Sequence, residues 1–179
     1  HLNTVTCHSP RLMGIDQALT LLLAALSFSP GCLGGDDASS SETVPEFTMI
    51  ADDGFEYGDE SLLGTNYILH FSASWCNQCR PTMHAVTNHL DGEMYIVVST
   101  DANDGGQTKL GEWHTQVNES KDDSSVSAPF TMNVGLAQDF EINNTPTLIL
   151  VGKDGTVIDR HIGPMIEEEV IDDFWAQGQ

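Results

Sequence analysis

Four cysteines occur in the 179 residues, and two of them, Cys76 and Cys79, are separated by only Asn77 and Gln78. The pair follows a short apolar run, Tyr67-Ile68-Leu69-His70-Phe71, and precedes a stretch where Met83, Val86 and Leu90 recur at helical spacing. A cysteine between the end of a buried strand and the start of a helix lies where unpaired backbone N–H groups and the helix dipole favour an anion. The thiolate is the attacking species in disulfide exchange. Cys76 is therefore read as the nucleophile, and Cys79, one turn further on and more sheltered, as the resolving thiol. A structural disulfide across so short a gap would gain little loop entropy. Half of a zinc site is the competing reading, but that needs a second close pair of ligands. No second pair of cysteines follows, and His70, His84 and His89 show no pair spacing. No metal site and no cofactor are expected.

The surrounding elements must place this pair. Residues 46–57 hold short extended stretches around the turn signal Asp52-Asp53-Gly54. A buried strand over 67–71, a helix over 77–90 and a second buried strand over 94–98 form a βαβ unit with a right-handed crossover. A polar region over 101–127 contains one amphipathic helix carrying Leu110, Trp113 and Val117. A short helix over 134–140 and a strand over 147–151 follow. Lys153-Asp154-Gly155 is a tight hairpin turn into a returning strand over 156–162. A helix over 166–175, with Ile166, Val170 and Phe174 on one face, closes the chain. His84 and His89 are assigned to the exposed face of the helix after Cys79.

The N-terminal part has a different character. The run from Ala18 to Phe28 is almost wholly apolar but too short to span a bilayer, which takes about 20 residues. It fits the core of a secretory leader over 1–32, with Met13 as the candidate initiator. Gly31-Cys32 directly after it resembles a lipoprotein processing site, with Cys32 as the lipidated residue; an N-terminal signal anchor or an ordinary cleaved signal is the alternative reading. Residues 33–45 are acidic, lack an apolar period and read as a flexible tether. The expected folded domain runs from 46 to 179, exported and held at the outer face of the cytoplasmic membrane.

Asp and Glu number 27 against 6 Lys and Arg, a net charge of −21. Such a surface repels nucleic acid and anionic lipid heads and stays soluble in salt. Nucleic acid is excluded as a partner.

Phe71-Ser72-Ala73-Ser74-Trp75-Cys76-Asn77-Gln78-Cys79-Arg80 resembles the active-site segment of the thioredoxin superfamily. Asn144-Thr145-Pro146-Thr147-Leu148-Ile149-Leu150-Val151, with Lys153-Asp154-Gly155 and Gly163, is similar to its second half. The likeness is nearest to the TlpA-like, membrane-tethered branch that handles extracytoplasmic disulfides. It implies an α/β thioredoxin-like fold, a central mixed sheet flanked by helices. It implies a thiol–disulfide oxidoreductase acting on protein dithiol and disulfide clients, chiefly as a reductant recharged by a separate redox donor. Trp75 would shield the disulfide, Pro146 would be a cis-proline facing the cysteines, and Thr145 would offer its backbone to an extended client. His70 occupies the place of a buried acid that moves protons for the resolving thiol; it reads either as that base near neutral pH or as a satisfied core histidine. The segment departs from the pattern in lacking a proline between the cysteines and in having His84 where a helix-kinking proline is common. Two other activities on the same fold remain alternatives. Thiol peroxidases of the peroxiredoxin type resemble Thr-x-x-Cys, which is not present at Cys76. Copper or zinc chaperones resemble Cys-x-x-x-Cys with a late histidine; here the gap is two, although His161 is available.

Overall fold

The two apolar runs before and after the cysteine pair form the centre of the sheet. The computed structural model describes residues 42–119 and 125–179. In chain order it contains β1 (Thr48–Ile50), β2 (Glu56–Gly58), α1 (Asp59–Leu62), β3 (Tyr67–Ser72), α2 (Cys79–His89), β4 (Met94–Ser99) and a 3₁₀ turn (Ala102–Asp104). Then come α3 (Gln107–Asn118), β5 (Phe130–Met132), α4 (Val134–Asp139), β6 (Thr147–Val151), β7 (Val157–Ile162) and α5 (Glu168–Ala176). The expected leader, and Cys32 with it, lies outside the described residues.

Five strands pair in the order β5-β4-β3-β6-β7. β3 and β4 are parallel, from Tyr67 opposite Met94 to Ser72 opposite Ser99, and β5 continues that direction beside β4. β6 runs antiparallel to β3, and β7 antiparallel to β6. The result is a mixed sheet with helices on both faces, the thioredoxin-like α/β fold. All six residues of β3 are buried. Each fully buried Leu, Ile or Phe stabilises by about 1.5–3 kcal/mol relative to exposure, so β3 is a firm base for whatever follows its end.

Alternation along the strands divides the core. Ile68, Val97, Leu148 and Leu150 pack with Cys79, Met83 and Val86 of α2, with Leu110, Trp113 and Val117 of α3, and with Ile171 and Phe174 of α5. Tyr67, Leu69, Phe71, Ile96, Val98 and Ile149 pack on the other side with Phe47 and Met49 of the N-terminal hairpin and Leu136 and Phe140 of α4. Asp52 ties that hairpin to the sheet edge. Its Oδ1 accepts the Phe130 N–H at 2.8 Å, and its Oδ2 lies 2.7 Å from His114 Nδ1. The His114 ring stacks on Phe130, with centroids 4.3 Å apart.

Four differences from the sequence expectation have physical causes. Backbone pairing begins before residue 46: the Val157 N–H of β7 donates to the Glu42 carbonyl, and the Val44 N–H to the carbonyl of Gly155 in the turn before β7. Backbone pairing holds these residues although their side chains have no apolar period. β5 has no signal in the sequence; three residues are too few to show alternation, and only their pairing with Val97–Ser99 defines the strand. In α5 the buried face is Ile171, Phe174 and Trp175, whereas Ile166 and Val170 are exposed. Ile166 precedes the N-cap Glu167, so a helical period counted from it does not apply. His84 is buried, not on the surface, because α3 covers that turn of α2 and brings the Val117 carbonyl to 3.2 Å from its Nε2. His89 is half-buried and pairs with Asp172 at 2.7 Å. The hairpin turn is as expected: Gly155 takes φ +81°, a conformation glycine adopts without steric cost.

Candidate active site

The site grows from the C-terminal end of β3. The chain leaves the sheet at Ser72 and makes a tight turn in which the Cys76 N–H donates to the Ala73 carbonyl at 2.9 Å. A second turn, Cys79 N–H to the Cys76 carbonyl at 3.1 Å, leads into α2. The helix starts at Cys79 with Gln78 as N-cap, so Cys76 sits just ahead of the first helical turn, not within it. Cys76 and Cys79 form a disulfide with Cα atoms 5.4 Å apart. The two sulfurs have different surroundings. Cys79 is fully buried among apolar residues, while Cys76 is half-buried beside exposed Trp75, Asn77 and Gln78. Solvent reaches Cys76 and not Cys79.

The second half of the chain brings its own segment to the same place. Thr147 pairs with Phe71, so the residue before it, Pro146, reaches the end of β3 where the turn to Cys76 begins. The Thr145–Pro146 bond is cis. Pro146 is buried, and its carbonyl accepts the Gly163 N–H at 2.9 Å. Thr145 is half-buried. Trp75 is 63% exposed, and its indole N–H donates to Asp101 at 3.0 Å. The Asn103 backbone N–H, and then the Trp75 indole, hold the Asp101 carboxyl below the usual carboxylate range.

His70 is fully buried on β3. Its Nδ1 is 2.5 Å from the Tyr95 hydroxyl, and its Nε2 has no hydrogen-bond partner among the described residues. Burial pushes the imidazole down to about 3, since desolvation penalises the cation. It is therefore neither a base poised near neutral pH nor a fully satisfied core histidine. Tyr95, Ser74, Asp101 and Asp104 frame the site and carry no motif in the sequence. An aspartate in so acidic a chain reads as a solvated charge, although Asp101-Ala102-Asn103 has the spacing of a capping turn. Among the described residues, no group of three or more His, Cys, Asp and Glu side chains could hold a metal ion. No helix there is long and apolar enough to cross a membrane.

The model of the thioredoxin-like domain matches residues 62–175, which include the cysteine turn and the cis-proline segment. The chain belongs to the thioredoxin-like domain family. Among its relatives, the thioredoxin-like protein YneN of Bacillus subtilis is 22% identical over 133 residues, covering 72% of this chain and 75% of YneN. Probable nucleoredoxin 1 of Arabidopsis thaliana is 24% identical over 72% of this chain, but the chain spans only 23% of that protein. The solved structures extend the thioredoxin-like likeness to the fold. A putative protein disulfide isomerase from Bacteroides thetaiotaomicron superposes with a TM-score of 0.60 at 20% identity, over 76% of this chain and 86% of its own. The exposed lipoprotein thioredoxin Etrx1 of Streptococcus pneumoniae gives 0.57 at 20% identity, over 74% and 99%. StoA of Bacillus subtilis gives 0.58 at 20% identity, over 74% and 97%.

Proposed function

We propose that this protein is an extracytoplasmic thiol–disulfide oxidoreductase that reduces protein disulfides through Cys76 and Cys79. The observation that carries the reading is the asymmetry of the pair, a half-buried Cys76 bonded to a fully buried Cys79 at the start of α2. In the reduced protein the Cys76 thiolate attacks one sulfur of a client disulfide. A mixed disulfide forms, and the other client sulfur leaves as a thiolate and takes a proton. The Cys79 thiol then loses its proton and attacks the Cys76 sulfur. The intramolecular disulfide forms, and the second client sulfur leaves as a thiol. Two electrons and two protons pass to the client, and an external dithiol donor must return them. In this reading Trp75 shields the disulfide, and Thr145 and Pro146 offer backbone to an extended client segment.

Several features support the direction and the location. The net charge of −21 and the aspartates beside the cysteine turn disfavour a thiolate. A pair whose reduced form is not stabilised gives up electrons readily. The apolar run ending at Gly31-Cys32 supports export with a lipid anchor at Cys32. Similar folds include the pneumococcal exposed lipoprotein thioredoxin and a putative thiol:disulfide interchange protein DsbE from Chlorobium tepidum.

Dithiothreitol-coupled reduction of insulin by the full chain is the direct test. Turnover that disappears in Cys76→Ala supports the reading, and no turnover by the parent overturns it. A potential near about −270 mV fits a reductant, and one near about −120 mV an oxidant. Release of Cys32→Ser from membranes into the soluble fraction is the outcome expected of the anchor.

A further inference from the structure

The turn that delivers Cys76 is gripped by two carboxylates from one short element. The Cys76 N–H to Ala73 carbonyl bond makes Ser74 and Trp75 the two central residues of that turn. The Trp75 indole donates to Asp101, the N-cap of the 3₁₀ turn. Ser74 donates twice to Asp104, the last residue of the same 3₁₀ turn: its backbone N–H to Oδ2 at 2.9 Å and its hydroxyl to Oδ1 at 2.7 Å. Ser99, at the end of β4, donates a third hydrogen bond to Asp104 Oδ2 at 2.5 Å. Each central residue of the nucleophile's turn is thus held by its own aspartate.

Asp104 is the more unusual of the two because it is only 8% exposed. Burying a carboxylate is costly unless hydrogen bonds compensate. Here the three bonds come from neutral donors, two on Ser74 and one on Ser99. They stabilise the anion without cancelling its charge. The Asp104 carboxylate is bonded to Ser74, two residues before Cys76, and Asp101 adds a second charge of the same sign on Trp75, the residue next to Cys76. Lys109, whose ammonium donates to the Asn103 carbonyl at 2.8 Å and attracts the Asp101 carboxylate, is the cation set against them.

We infer that Asp104 is a positioning residue for Cys76, fixing the Ala73–Cys76 turn through Ser74 while its charge disfavours the Cys76 thiolate and holds the pair toward the disulfide. The inference rests on the proposed role of Cys76 as the attacking sulfur. A like charge raises the cost of the thiolate, and a pair whose reduced form is disfavoured is a stronger reductant.

The test uses the full chain as Asp104→Asn, Asp104→Ala and Asp104→Glu. Each is equilibrated in glutathione buffers, and the dithiol fraction is read by alkylation. Asp104→Asn keeps an oxygen for the Ser74 N–H and removes the charge. Its equilibrium should move about tenfold toward the dithiol, roughly 30 mV. Asp104→Ala should move the same way and also change the Trp75 fluorescence, because the turn loses its anchor. Asp104→Glu restores the charge and should return the equilibrium toward the parent. If Asp104→Ala does not fold, the isosteric Asn variant still decides the matter. An unmoved equilibrium in folded Asp104→Asn, or a shift toward the disulfide, overturns the inference. The readout does not depend on insulin: a parent inactive on insulin counts against the proposed function, while the glutathione equilibrium still tests Asp104.

Discussion

The Nδ1 of His70 and the hydroxyl of Tyr95 share a 2.5 Å hydrogen bond inside the core, leaving the other imidazole nitrogen without a partner among the described residues. Burial lowers the His70 pKa from the ordinary value to about 3. Between about 6.5 and 3 the unfolded chain therefore binds a proton here that the folded chain does not. Stability from this group is complete above the unfolded value and falls as the pH drops, by up to about 1.4 kcal/mol per pH unit. Acid also neutralises carboxylates and relieves their repulsion, so the comparison must be internal. Relative to His70→Leu, the parent should lose stability progressively from pH 6.5 to pH 4 in urea melts. A difference between the two that does not change with pH would refute the neutral buried imidazole.

The exposure difference between the two sulfurs predicts which variant traps a client. Cys79→Ala leaves the accessible thiol but cannot resolve the mixed disulfide, so a covalent adduct should accumulate. It should be visible on a non-reducing gel and clear with reductant. Cys76→Ala leaves only the buried thiol and should trap little. Equal trapping by both variants would refute the assigned roles, and mass spectrometry of the adduct would identify the client.

Charge repulsion should make the fold salt-dependent. The screening length falls from about 10 Å at 0.1 M salt to about 3 Å at 1 M. With a net charge of −21, added sodium chloride should raise Tm. A gain of about 1 kcal/mol corresponds to roughly 2–4 °C in a chain of this size. Chloride is the appropriate anion, because sulfate strengthens apolar burial on its own. A flat or falling Tm would show that repulsion does not weigh on the folded state.

Glu141 is the one non-glycine residue with positive φ, at +51°, among the described residues. It ends α4, with its N–H donating to Gln138 and the Ile142 N–H reaching back to Ala137. Glycine is the residue that helix ends of this kind favour. The left-handed conformation costs an L-residue about 1–2 kcal/mol, and glycine costs about 0.5–1 kcal/mol in unfolded-state entropy. Glu141→Gly should therefore stabilise by about 0.5–1 kcal/mol, read as a higher urea midpoint with unchanged slope. A lower midpoint would mean that the glutamate side chain makes a contact worth more than the backbone strain.

What the sequence determined by itself was what depends on neighbours along the chain. The Cys76–Cys79 spacing, the apolar runs that became β3, β4 and β6, and the glycine turn into β7 each carry a local pattern. So does the order of the segments, which with the Thr145–Pro146 motif identified the fold. Tertiary structure decided whatever depends on contacts between distant segments. β5 exists because Val97–Ser99 offers it a partner. His84 is buried because α3 lies over it. Asp104 is not a solvated charge because Ser74, 30 positions away in sequence, donates to it twice. An aspartate in an acidic chain has the same local signature whether water or a backbone N–H satisfies it, and only the folded chain determines which.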